Sequence, residues 1–531
     1  MKRLVIATVL LFAATVLVTF VYFRHLNRSV NNANLVLRSI PNDASVIFEF
    51  SNDRDFYEIF AGNKLFGSLI GQQKQDELLE LKKLLLQNQL LQKLFTNRDI
   101  FISLLPQKGN TLDFLLTASV NKDFQEDVLE QLTKQSQNGI LVTAISIAGK
   151  PGYQVYLNDL KKRFYLISKD DFSISGSFSK EVIEACARFD YRKEKLALVL
   201  LPDQQRSNSL ANLYINYRAL NTISGQLFQA KNPDIFRTFR EMPASAALSL
   251  DYKSDALIFN GITQTQANLP PGYLDVFEDQ QPVINRLKEI FPSTTAYFTN
   301  FSLSDPVKFE NRLASNQLKS SFAAEQENIL KKVKNETGIR LQKEFSHLLG
   351  NEFAIISTQY REKIGIVQIK DGLKALALIT NLSKMTSEST GQLNYEKLPQ
   401  ILLGDAFSNF KRPFFRVIDN YLILTNSESE LASYNDSYIN RKFLPKTDGF
   451  NDFNNLMAEK SNIAFVVRFK NAASLFKQDM RPSFYDDFSK TEPGWKNFYG
   501  ASWQLSVSEK NYYTNFCVRL NTDTTIKNLP F

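Results

Sequence analysis

The sequence predicts an α+β protein: two tandem homologous units of mainly antiparallel sheet flanked by helices, preceded by one N-terminal transmembrane helix. Three observations carry that expectation. Strand-like runs are short and joined as hairpins, which suits antiparallel sheets better than a doubly wound parallel one. One stretch occurs twice, at 163–181 and at 413–431, each time as an aromatic strand, a polar turn, a second strand and a Ser-rich helix start. The chain opens with the uninterrupted apolar run Leu4–Phe23.

Length and composition allow two good cores. The chain has 531 residues, 44% of them hydrophobic and 22% charged, which is a globular balance. Its 43 Phe and 20 Tyr suit half-buried strands. The net charge of +8 is spread along the chain, the longest body cluster being Lys161-Lys162-Arg163, so nucleic acid is not an expected partner.

Residues 1–3 read as a cytoplasmic stub, and 4–23 as a signal anchor. Twenty residues at about 1.5 Å each span roughly 30 Å, the thickness of a bilayer's apolar core. The run exceeds a cleaved signal's apolar region, and no small-x-small site follows it. Residues 24–37 read as a polar stalk, with His25 at the interface. The body is then expected outside the cytoplasm, and the membrane is the first expected partner.

The first unit, 38–268, opens on Pro41-Asn42-Asp43-Ala44 and the strand Ser45–Phe50. Asp53 or Asp55 caps a helix that breaks at Gly71. Leu78, Leu81, Leu85 and Leu84, Leu91, Leu94 recur at helical spacing over about 75–95 and read as the face that covers a sheet. Strands at 100–105 and 112–120 form a hairpin, a helix follows at 123–135, and strands cover 139–148 and 152–157. The first copy of the repeated stretch leads into a helix at 179–189. Strands at 196–201 and 210–217, a helix at 219–230, and a hairpin at 246–252 and 256–265 close the unit.

Asn268-Leu-Pro270-Pro271-Gly272 marks the boundary, since two prolines and a glycine continue neither helix nor central strand. A linker covers 269–290, and the second unit, 291–531, repeats the order of the first. Phe291-Pro292 with the strand Ala296–Phe301 stands 251 positions after Ile40-Pro41, and Phe414 stands 250 after Phe164. Asn462–Phe469 follows Asn212–Tyr217 by 250, and Leu505 follows Leu248 by 257. With the strands 353–358 and 364–369 repeating the first hairpin, five landmarks in one order read as an internal duplication.

Catalytic signatures are absent from the letters. There is no phosphate loop, no Gly-x-Ser-x-Gly elbow and no His-Glu-x-x-His. Ser177-Phe-Ser-Lys180 matches Ser-x-x-Lys, but its position at a helix start suits capping, and Ser427-Glu-Ser-Glu430 has capping-box spacing. Gly176 and Asn426 are read as left-handed corner residues. His347 is the single body histidine. Asp170-Asp171, Asp486-Asp487 and Glu428/Glu430 read as solvated acids, and Asn335 and Asn381 head unremarkable Asn-x-Ser/Thr triplets. Cys186 and Cys517 sit at non-equivalent positions and read as two buried thiols. No catalytic, metal-ligating or cofactor-binding residue is assigned. Phe484, Tyr485, Trp495, Phe498, Tyr499, Trp503, Tyr512 and Tyr513 form the candidate binding surface, with completion of the second core as the competing reading.

This layout resembles a family of uncharacterised bacterial membrane-anchored extracytoplasmic proteins, a domain of unknown function. The residues that carry the resemblance are Pro41-Asn42-Asp43-Ala44 and the two copies of the repeated stretch; Pro292-Ser-Thr-Thr departs from it. The resemblance implies no activity. The expectation is a non-enzymatic, membrane-tethered binding or scaffold protein of the cell envelope, with a protein partner there. An envelope hydrolase and a lipid- or hydrophobe-carrying module are the alternatives.

Overall fold

The computed structural model describes residues 36–62, 72–87, 98–107, 111–120, 140–169, 172–190, 209–229, 244–265, 272–489, 495–509 and 511–521, with a few single residues between them. It divides into two compact units, one drawn from Met1–Gly62 and Gln73–Asn216, the other from Asn63–Gln72 and Tyr217–Phe531.

The first unit holds β1 (Val46–Ser51), β2 (Asp99–Gln107), β3 (Thr111–Ser119), β4 (Ile140–Ile147), β5 (Lys150–Leu157), β6 (Lys162–Lys169), β7 (Ser173–Ser177) and β8 (Ala211–Asn216). Neighbours run β8-β1-β2-β3-β7-β6-β5-β4, every pair antiparallel. Its helices are α1 (Arg54–Gly62), α2 (Gln72–Gln87) and α3 (Lys180–Arg188). Asp53 accepts from Phe56 N at 2.8 Å and so starts α1 as expected. Phe56 of α1 stacks on Phe50 of β1 with centroids 4.0 Å apart. Buried Glu77 of α2 pairs with Lys162 of β6 at 2.5 Å. Val182, Ile183, Cys186 and Ala187 of α3 are buried together.

The second unit holds β9 (Ala244–Tyr252), β10 (Ala256–Thr265), β11 (Val283–Ile284), β12 (Thr295–Ser302), β13 (Leu349–Thr358), β14 (Lys363–Ile369), β15 (Ser383–Met385) and β16 (Thr390–Leu393). It continues with β17 (Phe414–Ile418), β18 (Tyr421–Thr425), β19 (Lys460–Ser461), β20 (Ile463–Arg468), β21 (Phe498–Ser508) and β22 (Asn511–Leu520). Neighbours run β9-β10-β22-β21-β20-β12-β13-β14-β18-β17-β16-β15, while β11 and β19 pair apart. Its helices are α4 (Tyr217–Leu227), α5 (Pro306–Leu318), α6 (Ala323–Thr337), α7 (Leu341–Leu348), α8 (Gly372–Thr380), α9 (Leu398–Leu403), α10 (Glu428–Ile439), α11 (Phe450–Asn454), α12 (Phe469–Asp479) and α13 (Pro482–Ser489).

Both faces of this sheet are buried, because alternate residues of each strand point opposite ways. Phe298, Ile356, Ile366, Ile423 and Val466 pack with Tyr434 of α10 and Phe453 of α11. On the opposite parity, Phe301 and Phe353 stack at 5.0 Å, with Phe277, Phe309 and Phe407 around them. Each buried Phe contributes about 2–3 kcal/mol by leaving water.

The order β20-β12-β13-β14-β18-β17-β16-β15 matches β8-β1-β2-β3-β7-β6-β5-β4 strand for strand. Local bonds match too. Ala44 N donates to Pro41 O at 3.1 Å, and Thr295 N to Pro292 O at 3.0 Å. At the end of β8, Asn216 Nδ2 donates to Asn42 O at 3.1 Å; at the end of β20, Arg468 Nη1 donates to Ser293 O at 3.2 Å. Pairing register sets Glu49 opposite Asn212 and Asn300 opposite Ala464. Asn212 therefore corresponds to Ala464 rather than to Asn462, because ladder position and not letter identity decides equivalence.

The expected architecture needs two corrections. Within each unit the described strands pair antiparallel and helices flank them, but the place of one hairpin differs from the expected one. The hairpin β9–β10, expected to close the first unit, instead lies along β22, with Asn260 opposite Asn515 and Phe259 opposite Phe516. Asn515 Nδ2 donates to Asn260 Oδ1 at 2.8 Å, and the two rings stack at 6.0 Å. Left alone, either hairpin would keep a row of unmatched N–H and C=O groups.

The second correction concerns the transmembrane helix. Among the described residues no helix is long and apolar enough to cross a membrane. The longest, α2, has 16 residues, about 24 Å at 1.5 Å each, and carries polar residues throughout. Leu4–Phe23, residues 24–35 of the stalk with His25, all of the helix at 123–135 but residue 133, the strand at 196–201 and Asn268–Pro271 lie outside the described residues.

Gly176 was read as a left-handed corner, and it is not one. It lies within β7, and neither it nor Asn426 has a positive φ. Its missing side chain makes room for a ring: a Cβ there would sit 2.5 Å from Phe164 and 2.8 Å from Leu166. Gly176→Val is expected to lower stability by about 1–3 kcal/mol, through overpacking against that ring. Gly225→Ala, in α4 with nothing within 4 Å of a Cβ, is expected to be neutral or slightly stabilising. Denaturation midpoints of the two variants check both.

Candidate functional site

Each set of matched strands buries a polar cluster at the junction of its first two strands. In the second unit the cluster is built on β12 and β13. Ser302 and Glu352 are opposite each other in the ladder, and Glu352 is buried. Its carboxylate accepts from Arg286 N at 2.9 and 3.1 Å, Leu287 N at 3.0 Å and Asn300 Nδ2 at 3.1 Å. Asn285 joins Ser302 Oγ at 2.8 Å and Ser461 Oγ at 2.5 Å. Glu352 thereby pins residues 286 and 287 to the sheet, satisfying backbone donors at the start of a short 3₁₀ turn. Beside it, burial lowers the pKa of Lys288, and Glu352 opposes that shift.

In the first unit the matched positions carry more charge. Asp99 is opposite Ser51, as Glu352 is opposite Ser302, and Glu49 stands where the other unit has Asn300. Glu49 is 6% exposed. Tyr214 OH donates to it at 2.6 Å and Asn212 Nδ2 at 3.0 Å, with Asn212 held from behind by Ser209 at 2.9 Å. Burial pushes the Glu49 carboxyl up to about 7, the Asp99 charge adds to that, and the two donors oppose it. Burial likewise raises Asp99 to about 6 against the pull of Arg98. Both acids are thus held toward their protonated forms by burial, and Glu49 is oriented by a tyrosine.

The residues singled out from sequence scatter. Ser177 Oγ donates to Phe114 O at 2.7 Å and accepts from Ser179 N at 3.1 Å, so it closes a strand end. The α3 cap is Ser179, not Ser177, and Lys180 faces Glu184 at 3.9 Å. Ser427 and Glu430 do form the capping box expected of them. His347 and Asp486 are exposed. Cys186 and Cys517 are free and buried, and burial raises Cys517 to about 12. Asp170-Asp171 lies outside the described residues.

The aromatic segment is mostly core. Phe498, Tyr499 and Tyr512 are buried, and Trp503 packs on Phe516 at 5.0 Å. Trp495 and Tyr513 keep 41% and 43% of their surface, which leaves two separate rings instead of a platform. Sequence reading missed Glu49, Asp99, Tyr214 and Glu352. The signal available was an acid inside or at the start of an apolar strand, as in Val46–Ser51 and Asp99–Leu105.

Two hollows lie among the described residues of the second unit. An open cleft of about 600 Å³ is lined by Glu278, Asp279, Gln281, Lys308, Asn311, Arg312, Val507 and Glu509. Arg312 is engaged there, 2.5 Å from Asp279 and 3.6 Å from Glu278. A void of about 30 Å³ between α7, α8, α9 and the sheet is lined only by apolar side chains, including Phe345, Leu378 and Phe415. That is room for about one water-sized group, not an acyl chain. Comparison with protein-family models, curated proteins and solved structures finds no match.

The acid pair has a definite pH signature. Its folded pKa values of about 7 and about 6 lie above the roughly 4 of unfolded carboxylates, so between those values the folded state binds more protons. Stability is therefore expected to fall as pH rises from about 4 through 7. Glu49→Gln should flatten that slope in pH-resolved denaturation; an unchanged slope would show that Glu49 is not its source. Glu352→Ala leaves three donors unmet and is expected to cost about 3 kcal/mol, read in denaturant unfolding.

Proposed function

We propose that this chain is a non-enzymatic binding or scaffold protein that engages a protein partner through a strand edge. The observation that carries the reading is β4. Its eight residues, Ile140-Leu-Val-Thr-Ala-Ile-Ser-Ile147, include no charge and no proline. Among the described residues it pairs on one side only, with β5. Leu141 is 55% exposed, and Thr143, Ala144 and Ser146 are exposed as well.

Such an edge offers a row of backbone donors and acceptors to an incoming strand, which is how extended segments are bound by β-addition. The matched strand of the other unit is guarded. β15 has three residues, and its central Lys384 is exposed. Short length and lysine are both devices that blunt an edge. The contrast between matched strands makes the open one a feature of the first unit, not of the fold.

A photo-cross-linking residue placed at Thr143 in the full chain is expected to give discrete protein adducts in the source cell. The same residue at Leu373, which is 82% exposed on α8, serves as the control and should give none. Equal labelling at the two positions, or no adduct at Thr143, would overturn the reading.

A further inference from the structure

We propose that the occupant of the β4 edge is a second copy of this chain, which adds its own β4 antiparallel about a two-fold axis at Thr143. The inference rests on the strand-edge reading and names its partner.

Backbone geometry selects the register. The β4–β5 turn is Ala148-Gly149, with φ of 49° and 82°, the two positive values of a type I′ hairpin. Ile147 and Lys150, which close that turn, are therefore a hydrogen-bonded pair. Counting back by twos, Ile145, Thr143 and Leu141 also turn their N–H and C=O groups toward β5. Ile140, Val142, Ala144 and Ser146 turn theirs outward. A self-complementary ladder must set outward residues opposite outward residues. Centring on Thr143 does so and is the register that engages all four outward residues: Val142 faces Ala144 and Ile140 faces Ser146, while Leu141 faces Ile145.

Chemistry points the same way. A strand without charge meets no like-charge repulsion from its own copy, and a charged partner strand would find no counter-ion on it. The Leu141–Ile145 contacts on either side of the axis would cover the most exposed apolar group of the strand. The chain already contains a junction of this kind, since β10 and β22, the last strands of two matched hairpins, pair antiparallel with Asn260 opposite Asn515.

The test uses the full chain in sedimentation across concentration. The expected result is a reversible equilibrium between 60.8 kDa and twice that mass. Thr143→Lys and Thr143→Glu each place two like charges at the axis and should weaken association at least about tenfold. Mixing the two variants should restore it, which a misfolded variant could not do. Thr143→Cys should form a disulfide-linked dimer on oxidation, because non-hydrogen-bonded cross-strand pairs lie about 4.5 Å apart. Cys186 and Cys517, both buried, are the background for that readout. A wild-type chain that stays monomeric throughout, or charge variants that associate like the wild type, would overturn the proposal. Thr143 adducts containing only a different protein would overturn it too, while leaving the strand-edge reading standing.

Discussion

Each strand of a sheet carries two rows of hydrogen-bonding groups, and the organisation of this protein follows from how those rows are matched. The ladder between β10 and β22 joins eight residue pairs in the second unit. It brings a hairpin from the middle of the chain alongside one from the end. Their inner face carries matched polar groups: Thr263 and Thr514 hydroxyls meet at 2.7 Å, and Tyr217 reaches the same Thr263 at 3.1 Å. Buried hydroxyls bonded to one another avoid the desolvation cost that unpaired ones would bear.

The same demand for matched polar groups accounts for the acidic clusters. Glu352 is tolerated inside the sheet because three donors converge on it, two of them the backbone N–H groups of residues 286 and 287. At the matched place in the first unit the acids are two, and the bonds from Tyr214 and Asn212 both go to Glu49. The outcome is a raised pKa for each acid, with protonation doing what donors do in the other unit. One cluster meets its acid with backbone and amide donors, and the other raises the pKa of its two acids, on a shared strand order.

Much of the element plan was legible in the chain. The described strands of the first unit lie within a few residues of their expected places, because hairpins with short polar turns leave a strong local pattern, whereas the short strands β11, β15, β16 and β19 were not expected. The Pro41 and Pro292 turns were legible for the same reason, since proline fixes the backbone locally. The role of Gly176 was not, because its cause is the ring of Phe164, a residue twelve positions earlier that meets it only across a strand pair. The acid pair was equally hidden. Glu49 and Asp99 are 50 positions apart, and nothing in either neighbourhood announces the other.

By itself, then, the sequence determined where most strands, the proline turns and the Ser427 cap lie, and the recurrence of one order of elements at an offset near 250. These are consequences of short-range sterics and hydrogen bonding. Tertiary structure alone decided which strands become neighbours, which polar residues share a burial site, and which edges stay open. The reason is that pairing partners are chosen by matched ladders and side-chain faces between segments far apart in the chain. Asn462 and Asn212 share a letter, yet the ladder aligns Asn212 with Ala464. Likewise β4 and β15 hold matched places at the ends of matched strand orders, yet only β4 is long and uncharged enough to accept another strand.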